Sequence, residues 1–113
     1  MTKDLIARLE NAKGPDRELD AEIAKHLGWV RFSYPAEIGW YDESGMCCDD
    51  CPRYTGSIDA ARGICEDNAF LFAAKMGGEF QVRLRSKMLF ECKGIAATLE
   101  LSWCIAALKA MEE

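Results

Sequence analysis

From Phe70 to Lys93 the chain changes its chemistry almost residue by residue. Phe70, Phe72 and Ala74 alternate with their neighbours. Phe80, Val82 and Leu84 alternate with Gln81, Arg83 and Arg85, and Met88, Phe90 and Cys92 alternate with Leu89, Glu91 and Lys93. A period of two is the spacing of a pleated strand with one apolar face. Gly77-Gly78, between the first two runs, suits a tight hairpin turn because glycine enters the left-handed region freely. The stretch therefore predicts a three-stranded antiparallel meander. A sheet with one apolar face needs a covering layer, and that requirement organises the rest of the reading.

The cover comes from segments with a helical period. Thr2 can cap a helix that carries Leu5, Ile6 and Leu9 on one face, and Gly14-Pro15-Asp16 breaks it. Asp16 is a good N-cap for a second helix, with Glu18 and Asp20 at the positive end of its dipole, the stripe Leu19, Ile23, Leu27, and Gly28 as stop. Residues 1–28 thus predict a helical hairpin. Ser57 can cap a helix over about 58–66, and Thr98 one with the stripe Leu101, Cys104, Ile105, Leu108 and with Trp103 to one side. Residues 29–56 hold Trp29, Phe32, Tyr34, Trp40, Tyr41 and Tyr54 among Pro35, Gly39, Gly45 and Pro52, which predicts a short strand at 29–34 and then a long aromatic and cysteine-bearing loop. Residues 57–113 supply helix, meander and helix. The expectation is a single α+β domain over 1–113, with helices packed on the meander plus a fourth strand from 29–34.

Length and composition limit the function classes. Half of the 113 residues are hydrophobic, enough for a core without disulfide staples. No apolar run approaches the ~20 residues that cross a bilayer, and Met1-Thr2-Lys3-Asp4-Leu5 has no signal-peptide core. The expectation is a bacterial cytoplasmic protein with no membrane partner and with its six cysteines reduced. Cys65, Cys92 and Cys104 lie in apolar periodic segments and read as small buried hydrophobes. The net charge of −5 disfavours duplex nucleic acid. The charge is uneven: residues 1–67 carry 14 acids and 8 bases, whereas residues 68–113 carry 5 acids and 6 bases.

Three stretches share a pattern with a known family. They are Asp4-Leu5-Ile6-Ala7-Arg8-Leu9-Glu10 with Gly14-Pro15-Asp16-Arg17-Glu18-Leu19-Asp20-Ala21-Glu22-Ile23; Pro52-Arg53-Tyr54-Thr55-Gly56-Ser57-Ile58-Asp59-Ala60-Ala61; and Ala97-Thr98-Leu99-Glu100-Leu101-Ser102-Trp103-Cys104-Ile105-Ala106-Ala107-Leu108-Lys109-Ala110. In this order they resemble the phage ABA-sandwich domain, small proteins encoded by phages and prophages. The resemblance implies an α/β/α sandwich and a phage or prophage origin. It transfers no catalytic residue. The polar face of Gln81, Arg83 and Arg85 sits in tension with a sheet covered on both sides.

Four constellations could carry chemistry. Cys47, Cys48 and Cys51 include the two-residue spacing with which a pair of thiolates grips zinc, but a second pair is missing, and Cys65 or His26 would have to complete the set. The adjacent Asp49 and Asp50 oppose a reactive thiolate, and a loop with incidental cysteines is the plainer reading. Arg53, Tyr54, Thr55 and Ser57 precede a helix, where free N–H groups, a guanidinium, hydroxyls and a stacking ring could hold an anion; capping alone would also explain Gly56 and Ser57. Arg83 and Arg85, with Lys93 and the turn residue Lys87, could receive a phosphate-bearing ligand or an acidic protein, or form a solvated face paired with Glu91. Trp40 and Tyr41 in the aromatic loop could anchor a partner. The single histidine, His26, four residues after Glu22, supports no nucleophile triad.

These features predict a non-enzymatic accessory protein that binds a host or phage protein. The alternatives are a sponge that sequesters a small anionic, nucleotide-type signal, and a zinc-stabilised structural or DNA-associated module. A homo-oligomer is compatible with each.

Overall fold

The computed structural model describes residues 2–32, 39–42, 44–48, 50–64, 69–85 and 91–111. Two helices open the chain, α1 (Thr2–Asn11) and α2 (Arg17–His26). Leu5, Ile6 and Leu9 of α1 are buried, as are Leu19, Ile23 and Ala24 of α2. Asp16 caps α2, its carboxylate accepting the N–H groups of Glu18 (2.8 Å) and Leu19 (3.3 Å). The other end closes on Gly28, at φ 100°. There the Trp29 N–H reaches the Ala24 carbonyl (2.9 Å) and the Gly28 N–H that of Lys25 (3.1 Å), the paired bonds that a left-handed residue makes possible.

The segment after α2 departs from the expected loop. Strand β1 (Val30–Phe32) does not join the meander; it pairs antiparallel with β2 (Gly39–Tyr41), which pairs in turn with β3 (Cys47–Cys48). The turn between β2 and β3 is organised by Asp42, whose carboxylate accepts from the Ser44 hydroxyl (2.6 Å) and from the N–H groups of Ser44 and Met46 (both 2.9 Å). The Ser44 hydroxyl, followed by the Met46 N–H, holds that carboxyl below the usual range. A side-chain-built turn of this kind leaves no hydrophobic period in the sequence.

Helix α3 (Ile58–Arg62) is a single short turn capped by Ser57, whose hydroxyl accepts the Ala60 N–H (3.4 Å); it ends earlier than the sequence predicts. The meander then follows as β4 (Ala69–Met76), β5 (Glu79–Arg85) and β6 (Glu91–Ala96), in that spatial order and antiparallel throughout. Gly77 and Gly78 make the turn at φ 58° and 89°. The runs around Met88 and Phe90 lie outside the described residues, as does Cys65.

Helix α4 (Leu99–Met111) lies across β5 and β6. Val82, Leu84, Cys92, Gly94 and Ala96 face it and are buried. Thr98 caps it, the hydroxyl accepting the Leu101 N–H (3.1 Å). The sequence reads α4 as an amphipathic stripe, yet Ser102, Ala106, Ala107 and Ala110 are buried alongside Leu101, Cys104, Ile105 and Leu108. The reason is position: the sheet lies on one side, and α1 and α3 on others. The opposite face of the sheet exposes Arg83, Arg85, Glu91 and Lys93. Among the described residues the layering is therefore helix on sheet, an α+β fold, and the second helical layer that the resemblance implies is not on this face.

Candidate functional site

The first and second family-like stretches meet in space around one buried carboxylate. Asp20 is 1% exposed. Its Oδ1 accepts the Thr55 N–H and the Thr55 hydroxyl (2.7 Å each), and its Oδ2 accepts Arg17 Nη1 (2.7 Å). Arg17 Nη2 continues to the Cys51 carbonyl (3.2 Å) and to Asp50 Oδ1 (2.5 Å). The Asp16 N–H donates to Thr55 Oγ1 (2.8 Å). A buried carboxylate is tolerable only with its lone pairs filled, and here three donors fill them. The cluster ties the start of α2 to residues 50–57.

This arrangement corrects the anion-site expectation. Thr55 is fully buried and its hydroxyl is spent on Asp16 and Asp20. Tyr54 is 4% exposed, and its carbonyl accepts the Cys104 thiol (3.1 Å). Ser57 serves as the cap, and Arg53 alone of the four is exposed. The hollow beside them, about 390 Å³ between Trp29, Pro52, Tyr54 and the Asp59–Gly63 side of α3, carries the exposed Asp59 carboxylate, the wrong sign for an anion. Sequence alone places these residue types at a helix start but cannot show that Asp20, 35 positions away, uses them up.

The cysteines divide. Cys51 is buried, with its sulfur 3.7 Å from Arg17 Nη2; burial pushes the thiol up, and the guanidinium only partly offsets it. A protonated thiol facing a guanidinium is poorly suited to a cation. The backbones of Cys47 and Cys48 lie opposite Tyr41 and Trp40 in register. Among the described residues no group of three or more His, Cys, Asp or Glu is gathered for a metal ion. Burial likewise raises the Cys104 thiol.

Trp40 is corrected too. It is 4% exposed, with Trp29 edge-on at 6.5 Å and the Arg31 guanidinium 5.9 Å from its ring centre, so it anchors the small sheet to the core rather than a partner. Its neighbour Tyr41 is exposed.

The open apolar surface lies elsewhere, on β4. Helix α4 packs chiefly on β5 and β6 and reaches β4 through Trp103. Phe70 (55% exposed) and Leu71 (38%) therefore face solvent, and Phe70 stacks on the half-buried Trp103 of α4 at 5.2 Å and 8°. A register shift between Phe70 and Phe72 sets them apart: Phe70 lies opposite the buried Leu84, whereas Phe72 lies opposite the exposed Arg83. The smooth alternation that the sequence suggests across Phe70, Phe72 and Ala74 is thus broken by a bulge. Arg83 pairs with Glu91 (3.3 Å). Arg85 and Lys93 are exposed and form no ion pair among the described residues. In the element order β4 pairs only with β5, so its outer edge is open among the described residues.

The fold and surface define a small helix-on-sheet α+β protein with an exposed phenylalanine stacked on a half-buried tryptophan, beside a strand edge that is open among the described residues. No family model, no curated protein and no solved structure matches the chain. No helix among the described residues is long and apolar enough to cross a membrane.

Proposed function

We propose that this chain is a non-enzymatic protein-binding module whose contact surface is the β4 edge with Phe70, Leu71 and Trp103. One observation carries the reading: the exposed Phe70 ring is stacked on the half-buried Trp103 at one end of a strand whose outer edge is open among the described residues. Exposed aromatic anchors beside open backbone donors and acceptors are what protein interfaces use. The polar groups that would serve a small anion are instead committed to Asp20 and to capping. The resemblance of its three stretches to the phage ABA-sandwich domain supports reading it as a phage or prophage accessory protein that acts on a host or viral partner in the bacterial cytoplasm.

The test replaces Leu71 with a photo-crosslinking benzoylphenylalanine in the expressing bacterium, with Glu10 on α1 as the control position. Irradiation should give a discrete adduct at 71 and none at 10, and Phe70→Asp should abolish it while the circular dichroism spectrum is retained. Equal adducts at both positions, or an adduct indifferent to Phe70→Asp, would remove β4 as the contact surface.

A further inference from the structure

Resting on that reading, we infer that the partner contributes an extended, acidic segment that adds as a further strand to the outer edge of β4, which is open among the described residues. Charge and backbone both point there. Strands β4, β5 and β6 carry Lys75, Arg83, Arg85 and Lys93 against Glu79 and Glu91, a net +2, in a chain whose total is −5. Positive charge is thus concentrated on the sheet, while the remainder holds −7. Cations stand near both ends of β4, one on each face of the sheet. Lys75 lies in β4, exposed, on the α4 side with its ammonium 5.8 Å from the Phe80 ring centre; Arg85, on β5, lies opposite Ala69 near the other end of β4, on the face away from α4.

The edge offers regular pairing over 72–76, beyond the bulge, where the register with β5 runs without interruption. An unpaired strand presents alternate N–H and C=O groups outward, and an added strand satisfies them. Phe70 and Leu71, next along the chain, give an apolar side chain of the incoming segment a place to rest. An acidic side chain toward one end, on the α4 side, would meet Lys75, and one toward the other end, on the opposite face, would meet Arg85. A second copy of this chain fits less well, because joining two β4 edges would bring together two sheets of the same sign, each with an exposed lysine on the pairing strand.

The nitrogen-15-labelled protein titrated with three octapeptides tests the inference: one with two glutamates at each end of a Val-Thr-Val-Thr centre, so that each end presents an acid to each face, its lysine counterpart, and the glutamate peptide N-methylated at every valine. The glutamate peptide should shift amide resonances over 70–76, and both other peptides should bind at least about tenfold more weakly. The double variant Lys75→Glu, Arg85→Glu, with its dispersed spectrum as the check on folding, should reverse the preference between the glutamate and lysine peptides. Equal affinity for the two charges, or indifference to N-methylation, overturns the acidic strand while leaving a crosslink at 71 intact. Loss of that crosslink as well would overturn the binding surface itself. Absence of any shift over 70–76, or a sedimentation mass of two chains whose dissociation alone perturbs 70–76, also overturns it, the latter in favour of self-pairing.

Discussion

Adding one methyl group at Gly94 should cost this protein as much stability as truncating a large side chain in its core. Gly94 lies on β6 facing α4, and a Cβ there would overlap the Ser102 carbonyl oxygen, stand 2.8 Å from the Ala106 nitrogen and 3.0 Å from Ile105 Cβ. Two of the three neighbours are helix backbone, which no rotamer change can move. Relief needs α4 to lift from the sheet by about 1 Å, a gap that forfeits a quarter to a half of each dispersion contact across it. Eight residues of α4 are buried, so the loss spreads along the helix. Overpacking ordinarily costs about 1–3 kcal/mol, and a clash against backbone belongs at or above the upper end, roughly 3 kcal/mol. Against a typical stability of about 5–15 kcal/mol this is severe, and Tm should fall by more than about 10 °C. The matched control is Gly14→Ala, where nothing lies within 4 Å; it should be neutral or stabilise by up to about 1 kcal/mol through the unfolded chain. Urea denaturation followed by tryptophan fluorescence reads both. If Gly94→Ala unfolds within about 1 kcal/mol of Gly14→Ala, helix and strand are not in the close approach described, and the argument fails.

Three further outcomes follow from the same structure. Asp20→Ala should lose about 2–4 kcal/mol in urea, because the Thr55 N–H, its hydroxyl and the Arg17 guanidinium all lose their acceptor; Asp20→Asn, which keeps an acceptor, should lose less. Thr98→Ala should cost about 1 kcal/mol, read the same way, by removing the cap on α4. Alkaline stability reports Cys104: burial raises the folded thiol, so the unfolded chain releases its proton first, above about pH 8.5, and stability is lost as pH climbs beyond that value, by at most about 1.4 kcal/mol per pH unit for one thiol. Cys104→Ala should flatten that slope between pH 8.5 and 10, and an unchanged slope would show that the thiol titrates normally when folded.

The elements with strong local signals were legible. Asp16, Ser57 and Thr98 cap the helices that the sequence assigns them, and Gly77-Gly78 turns the β4–β5 hairpin, because caps and left-handed glycines are decided within a few residues. What was not legible depends on long-range pairing. Strands β2 and β3 are three and two residues long and are joined by an Asp42-built turn, too short to establish a period. The bulge between Phe70 and Phe72 inserts one residue into a pattern that still reads as alternating. The roles of Thr55 and Tyr54 turned on partners 35 and 50 positions away, so the same residues that look like an anion cradle in sequence are the fastening of one segment to another.

That fastening also bears on where binding can occur. Asp20 is stable in the interior only while Thr55 and Arg17 satisfy it, so a ligand that recruited the Thr55 hydroxyl would strand a buried charge and compete against the fold itself. No such penalty protects β4. The exposed side chains of Phe70 and Leu71 are apolar, so covering them costs no side-chain hydrogen bond, and an added strand would pair the outer edge that is open among the described residues. An open, largely apolar edge invites self-association, and β4 carries two features that natural sheets use against it: a bulge near its start and a lysine near its end. Both are short-range obstacles. The lysine repels a second copy but attracts a carboxylate, so one residue both discourages self-pairing and selects an acidic partner. On this argument Lys75→Ala should weaken binding of the glutamate peptide and raise self-association in sedimentation together. A change in either one without the other would separate the two roles.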